Sequence, residues 1–265
     1  MSVAIGTSQY QMGISPVTGC GFSYSEEELE TGLSNYITAI VFDDSGKMRF
    51  KAMFTEIATT EFQNGEIEQF LPDSKMYEDW RVGEAIAETY LSHHRGCFFP
   101  WPDSRDERKR GSSLPGADLV GFQSNGKDDV FVFGEAKTSS DKMYPPGVMY
   151  GRTGLKKQIE DLKNDVEIQK DLIMYLGHRA VNSNWQERFK RAYLNFDKCR
   201  TNVRIFGFLV RDVEPHENDI RTRVSKLAVD HHPDMVIELL VLYLPQNSIN
   251  QLSKKVVSYR KGGVE

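Results

Sequence analysis

The chain has 265 residues, of which 39% are hydrophobic and 27% charged, and its formal net charge is −5. This composition can bury a sizeable core, and no apolar run approaches the ~18 residues of a membrane span, which argues against a membrane protein. The three cysteines are far apart and the N-terminus lacks the features of a signal peptide, so we expect a reduced, cytoplasmic protein.

The charges are distributed unevenly along the chain. Residues 1–75 carry 4 basic and 11 acidic side chains, whereas residues 141–212 carry 14 basic and 9 acidic ones. Local charge governs attraction to phosphate groups, so the N-terminal part is an unfavourable surface for nucleic acid. We expect residues 1–72 to form a small α/β extension that contacts another protein, and residues 73–265 to form the main domain.

Within the N-terminal part, two short runs are typical of strands. Residues 36–42 and 48–54 are rich in β-branched, aromatic and other apolar side chains, and the polar sequence at 43–46 separates them. The pattern predicts a strand, a turn and a returning strand.

A helix is predicted over residues 77–91. Glu84 follows Trp80 by four residues and precedes Leu91 by seven, so it lies on a largely apolar face of this helix. A carboxylate that faces the core needs a partner or a metal ion, which makes Glu84 a candidate site residue. Glu88 is a less apolar neighbour on the same helix. The alternative is an exposed Glu84 that pairs with Arg81.

The polar run at 103–113 predicts a mobile loop before the next strand. It contains four basic residues that can contact phosphates of an approaching duplex, although mixed charges also occur in ordinary solvated loops. These residues are Arg105, Arg108, Lys109 and Arg110.

The central motif combines Asp118 on one apolar run with Glu135-Ala136-Lys137 at the end of a second. Side chains alternate along a strand, so Glu135 and Lys137 project from the same side. The polar turn at 123–129 predicts a hairpin that brings Asp118 near Glu135. Two carboxylates can hold a hard divalent cation and a nearby lysine can orient water, which suits phosphodiester hydrolysis. The alternative is an edge strand with a surface ion pair.

A glycine-containing loop at 143–154 leads into a helix predicted over 155–176. Free N–H groups at such a helix start can bind phosphate, and lysines there are unfavourable for the helix dipole unless an anion is bound. Solvated helix ends also carry lysines. The candidate contacts are Arg152, Lys156, Lys157 and Gln158.

The rest of the chain predicts a helix near 184–198 and strands at 203–211 and 235–244, which indicates an α/β fold.

Asp118, preceded by Pro115, together with Glu135-Ala136-Lys137 resembles the signature of the PD-(D/E)xK nuclease superfamily, with two residues between the proline and the aspartate. The resemblance implies a restriction-endonuclease-like core, a mixed central sheet flanked by helices, that acts on DNA. It implies Mg²⁺ or Mn²⁺ held by Asp118, Glu135 and the Ala136 carbonyl. The catalytic residues that it implies are Asp118, Glu135, Lys137 and Glu84. Glu84, and the helix glutamine Gln158, match positions that relatives place beside the active site.

A more particular resemblance covers most of the chain. The sequence FGEAKTS at 133–139, the sequence RIFGFLVRD at 204–212 and the overall length are similar to the HamA family, the nuclease subunits of Hachiman anti-phage defence. That family implies a helicase-type ATPase partner that controls cleavage, and the resemblance identifies no phage-encoded inhibitor.

Two hypotheses follow. The chain is a Mg²⁺-dependent DNA endonuclease, or it is a catalytically silent subunit for DNA binding or assembly that retains the nuclease fold. The intact set of Asp118, Glu135 and Lys137 favours the endonuclease, because binding alone does not require these three groups to converge.

Overall fold

A computed structural model describes residues 2–55, 77–102, 105, 116–124 and 128–262. Its strands are β1 (Thr7–Ile14), β2 (Val17–Ser23), β3 (Cys97–Phe98), β4 (Leu119–Ser124), β5 (Asp129–Ser139), β6 (Val203–Arg211) and β7 (Val236–Tyr243). Its α-helices are α1 (Glu26–Gly32), α2 (Thr38–Val41), α3 (Asp44–Thr55), α4 (Asp79–His94), α5 (Leu155–Asn164), α6 (Val166–Ala180), α7 (Gln186–Lys198), α8 (Arg221–Leu227) and α9 (Leu252–Gly262). A π-helical turn, Leu33–Ile37, joins α1 to α2.

The strands form one mixed sheet in the order β1-β2-β7-β6-β5-β4-β3. The four central strands β2, β7, β6 and β5 are parallel, and antiparallel pairs complete both edges. The central strands are nearly continuous apolar runs because helices cover both of their faces. The predicted α/β class, with a mixed sheet flanked by helices, is confirmed.

Two apolar clusters pack on opposite faces of this sheet. Val132 and Ala136 belong to the cluster that includes α4, whereas Phe131 and Phe133 belong to the cluster that includes α5, α6 and α7. This alternation along β5 directs Glu135 toward the side of Phe133.

The predicted strands at 36–42 and 48–54 are wrong, because both segments are helical. The apolar residues recur every four positions, at Leu29, Leu33, Ile37 and Val41, and all four are buried. That spacing places them on one face of a helix, and it outweighs the β-propensity of the individual side chains.

The single helix predicted over 155–176 is two helices, α5 and α6. Asp165 separates them, and its carboxylate accepts hydrogen bonds from the amides of Glu167 and Ile168 as an N-cap. The helix predicted near 184–198 and the strands predicted at 203–211 and 235–244 are present as α7, β6 and β7.

Neither β1 nor β2 was predicted from the sequence. Val17–Ser23 pairs in parallel with Ile237–Tyr243, so this N-terminal strand belongs to the common sheet. The predicted boundary between residues 72 and 73 lies outside the described residues, and the division there stays a prediction. In the described ranges, we find no helix with the length and apolar character needed to cross a membrane.

Candidate active site

The β4–β5 hairpin places the predicted site where β5 extends beyond its partner. The antiparallel ladder ends at the pair Leu119–Gly134, but β5 continues to Ser139. In place of the next ladder bond, the Ala136 amide donates to the Asp118 Oδ2 over 2.9 Å. The carboxylate of Asp118 is thereby fixed against the strand that carries Glu135.

Lys137 connects the two carboxylates. Its Nζ lies 2.7 Å from the Glu135 Oε1 and 3.8 Å from the Asp118 Oδ2. The Glu135 side chain is only 1% exposed, whereas those of Asp118 and Lys137 are 13% and 22% exposed. The three predicted side chains therefore converge, with Glu135 at the base and the other two nearer to solvent.

Burial and charge act together on these groups. Burial and, to a smaller extent, the nearby Asp118 together raise the pKa of Glu135 to about 8, although Lys137 opposes the shift. Burial disfavours the Lys137 ammonium, but the carboxylates of Glu135 and Asp118 hold its pKa above the ordinary value.

The oxygen atoms of this site suit a hard cation. The Glu135 Oε2 is buried and has no hydrogen-bond partner in the part of the chain that the structure describes. The N–H and C=O of one strand residue point to the same edge, so the Ala136 carbonyl faces the side of Asp118 as its amide does. Carboxylate and carbonyl oxygens are the ligands that Mg²⁺ and Mn²⁺ prefer.

Among the described residues, no group of three or more His, Cys, Asp and Glu side chains is arranged to hold a metal ion. The candidate set is thus two carboxylates and one carbonyl. Mg²⁺ commonly binds through one or two carboxylates and retains several water molecules, so the set is compatible with it.

Glu84 approaches from α4. It forms a 2.8 Å ion pair with Arg81, and the two side chains are only 12% and 8% exposed. The predicted alternative, pairing with Arg81, is therefore present, but the pair is not on the open surface. Glu84 lines one small cleft with Glu88 and Asp118, and its charge contributes to the raised pKa of Lys137. The choice between Glu84 and Glu88 stays a prediction.

Helix α5 packs on the sheet face opposite to α4, which is the face toward which Glu135 points. A Cβ atom on Gly207 would lie 3.3 Å from the Ile159 side chain, and Gly207 is the cross-strand neighbour of Glu135. The adjacent Gln158 has a buried Oε1 without a hydrogen-bond partner in the described ranges. Helix α5 therefore packs against β5, the strand that carries Glu135 and Lys137.

The predicted phosphate contacts differ in their surroundings. Arg152 is exposed and Lys156 is half-buried. Lys157 pairs with Asp161 one turn later on α5, as solvated helix lysines commonly do. Arg108, Lys109 and Arg110, together with Pro115, lie outside the described residues. Arg105 instead binds Asp43, with its Nε 2.8 Å from the Asp43 Oδ2.

Arg211 is a residue at this end of the sheet to which the sequence analysis gave no role. Its side chain is fully buried, and it donates 3.0 Å hydrogen bonds to the carbonyls of Ser139 and Met143. Its Nε lies 3.4 Å from the Asp219 Oδ2. The available signal was an arginine directly after the apolar run at 205–210, which implies a buried partner.

Comparison with protein families identifies the chain. A family model described as HamA matches residues 20–258, a range that includes Asp118, Glu135 and Lys137. No curated protein sequence matches the chain. Because the matched range covers most of its length, the chain belongs to the HamA family of Hachiman anti-phage defence.

Proposed function

We propose that the chain is a metal-dependent DNA endonuclease that serves as the effector of a Hachiman defence complex. The observation that supports this most directly is the position of Lys137, whose ammonium lies between Glu135 and Asp118 at the open end of β5. The unpartnered, buried oxygen of Glu135 adds to it, because a buried carboxylate oxygen needs a cation or a donor.

In this proposal, Asp118, Glu135 and the Ala136 carbonyl hold Mg²⁺ or Mn²⁺. When bound, the metal ion would neutralise charge on the scissile phosphate and acidify a water molecule. Lys137 has three N–H donors, of which one bonds to the Glu135 Oε1 over 2.7 Å, while the Asp118 Oδ2 at 3.8 Å is an ion-pair partner only. The remaining donors can orient the attacking water or contact a phosphate oxygen. Glu84 is a positioning residue that adds negative charge beside Lys137.

The DNA backbone would approach along the segment after β5. Residues 141–212 carry 14 basic and 9 acidic side chains, a net charge of +5. Arg152 and Lys156 supply phosphate contacts at the start of α5, with Gln158 beside them. Lys157 contributes less because Asp161 already neutralises it. Arg108, Lys109 and Arg110 supply further phosphate contacts.

Family membership indicates that the chain works in a partner complex. We propose that the partner is a helicase-type ATPase that restrains or releases cleavage, and that residues 1–72 contact it. This segment has a net charge of −7, so it would repel a DNA backbone and attract a basic protein surface.

The test is cleavage of plasmid DNA by the full chain, with and without the product of the neighbouring gene. We expect cleavage in Mg²⁺ or Mn²⁺, no cleavage in EDTA, and loss of at least about 100-fold in rate for Lys137→Ala. Lys190→Ala is the matched control, because Lys190 pairs with Glu187 on the exposed face of α7.

If the wild-type chain binds DNA but never cuts it under any of these conditions, the endonuclease assignment is wrong. The second hypothesis, a catalytically silent DNA-binding or assembly subunit, then replaces it.

A further inference from the structure

The loop between β5, the strand of the proposed active site, and α5 presents an exposed aromatic ring. Tyr150 is 55% exposed, whereas the preceding Met149 is buried at 3%. The 3-10 turn Gly147–Met149 ends at Tyr150 and contacts both β5 and α5. The buried methionine thus anchors the loop while the tyrosine side chain extends into solvent.

The main chain of this loop is fixed by hydrogen bonds. The Asp141 carboxylate accepts from the amides of Met143 and Gly147, over 3.0 Å and 2.8 Å. From the buried side, Arg211 donates to the carbonyls of Ser139 and Met143. A ring on a fixed backbone loses less conformational entropy when it binds a ligand, so this loop is suited to recognition.

The backbone of Tyr150 also packs against the start of α5. A Cβ atom on Gly154 would lie 2.2 to 2.6 Å from the backbone atoms of Tyr150, which only glycine permits. The Tyr150 amide in turn donates to the Gly147 carbonyl over 3.0 Å. The tyrosine is therefore held at the helix start that carries the proposed phosphate contacts.

The same loop connects the ring to the catalytic strand. Ser139, whose carbonyl accepts a hydrogen bond from Arg211, is only two residues after Lys137. Arg152, two residues after Tyr150, is exposed. One short segment therefore joins the proposed catalytic lysine, an exposed aromatic ring and an exposed guanidinium.

We propose that Tyr150 is a stacking subsite for an unpaired nucleobase, and that the substrate is DNA with a single-stranded stretch. The inference rests on the proposed function and specifies its substrate class. Within a duplex, the bases stack on one another and their faces are covered, whereas unpaired bases can stack on an aromatic side chain. Arg152 would contact a phosphate of the same strand.

The experiment measures binding of the full-length chain, in EDTA, to a fluorescein-labelled DNA strand and to its duplex. Tyr150→Ala should weaken single-strand binding by roughly one to two orders of magnitude and leave duplex binding unchanged. Tyr150→Trp should retain single-strand binding. Tyr193→Ala is the matched control, because Tyr193 is 43% exposed on α7, which binds Asp129 at the other end of β5.

Salt dependence separates stacking from charge. Arg152→Gln should flatten the dependence of affinity on salt for both DNA forms, because it removes a phosphate contact. Tyr150→Ala should lower single-strand affinity without a change in that slope. Equal losses for single strand and duplex, equal losses for Tyr193→Ala, or no binding of single strands by the wild type would each overturn the subsite.

Two further arms keep the outcomes distinct. A labelled RNA strand that binds more tightly than the DNA strand would overturn the assignment of DNA. Cleavage in Mg²⁺ is measured separately, with and without the neighbouring-gene product. If the chain cuts DNA but Tyr150→Ala binds single strands as the wild type does, only the subsite is wrong. If the chain never cuts DNA but Tyr150→Ala loses single-strand binding alone, the nuclease proposal fails and the subsite stands.

Discussion

Gly83 of α4 faces Thr138 of β5 so closely that a Cβ atom on Gly83 would lie 1.8 Å from the Thr138 Oγ1. Only a residue without a side chain allows the helix to approach the strand to this distance. Glu84 and Lys137 are the direct chain neighbours of these two residues. Gly83 therefore sets the spacing between the helix carboxylate and the ammonium at the candidate site.

Gly83→Ala should destabilise the protein by about 1–3 kcal/mol, because overpacking forces the helix or the threonine to shift. Urea unfolding followed by circular dichroism measures the change. Thr138→Ala removes the obstructing hydroxyl, so the double variant Gly83→Ala/Thr138→Ala should recover most of the loss, as a positive coupling in a double-mutant cycle.

Gly32→Ala is the comparison, because a Cβ atom there would meet only the Ile37 side chain at an ordinary 3.4 Å. That variant should be neutral or slightly more stable, since alanine is the better helix former. A similar loss for both glycines would show that the effect is not specific to the contact between α4 and β5.

The central elements of the fold could be predicted because their patterns are local. The apolar run at 205–210 within Val203–Arg211 indicates a strand, and the polar turn between β4 and β5 indicates a hairpin. The N-terminal part was harder to predict. The segment at 36–42 has side chains that favour strands, but its apolar residues continue a four-residue spacing that is typical of a helix. Tertiary packing decides such cases, and single-sequence propensity does not contain it.

At the candidate site, alternation along β5 was sufficient to predict that Glu135 and Lys137 share a side, and their 2.7 Å contact agrees. For Arg211 the sequence showed only an arginine after an apolar run and did not identify its partner Asp219, which lies in a separate 3-10 turn. The close packing of Gly83 on Thr138 was also hidden, because a helical glycine by itself indicates only a possible close approach.

Metal binding can be measured apart from cleavage. Asp118→Asn and Glu135→Gln should each weaken Mn²⁺ binding, followed by calorimetry, by more than about tenfold, since even outer-shell substitutions cost that much. Glu187→Gln is the control, because this side chain is 73% exposed on α7. Unchanged Mn²⁺ affinity in both site variants would show that the ion binds elsewhere.

Glu84 and Glu88 can be distinguished by matched substitutions. Glu84→Gln should lower the cleavage rate more than Glu88→Gln does, because the charge of Glu84 acts on Lys137 directly. We expect the cleavage rate of Glu84→Gln to fall about tenfold or more, because the electrostatic effect of Glu84 on Lys137 is lost. The measurement is single-turnover cleavage in Mg²⁺. The reverse ranking would assign the helix role to Glu88, which lines the same cleft.

Arg211→Met should destabilise the protein by about 3–5 kcal/mol at neutral pH, because it leaves the buried Asp219 carboxylate without its cation. Burial raises the pKa of Asp219, and the loss of Arg211 raises it further. A folded-state pKa above the unfolded one means that protonation favours the folded state, so the deficit should shrink as pH falls. Urea unfolding at neutral and mildly acidic pH tests this.

Arg221→Met is the control for Arg211. The ion pair between Arg221 and Glu217 is exposed, with side-chain exposures of 54% and 44%, so its loss should cost less than about 1 kcal/mol. A deficit in Arg211→Met that is the same at both pH values would contradict the charge argument and point to lost packing alone.

The acidic N-terminal segment should affect partner assembly more than DNA binding. Glu26 and Glu27 are exposed in the first turn of α1, and the capping box at its start uses Ser25 and Glu28 instead. Glu26→Gln/Glu27→Gln therefore removes two charges and leaves the cap intact. The free energy of unfolding should fall by about 1 kcal/mol per residue at most. We expect several-fold slower association with the partner subunit, and the difference should diminish at high salt.

The control for this double variant removes the same number of negative charges from another part of the chain. Glu187 and Asp197 are exposed on α7, within the basic stretch, so Glu187→Gln/Asp197→Asn removes two charges far along the chain from α1. Association with the partner, measured by surface plasmon resonance, should be unaffected in this control, and DNA affinity should change little in Glu26→Gln/Glu27→Gln. If both variants slow assembly to the same extent, net charge is responsible, and the assignment of residues 1–72 as the contact segment is wrong.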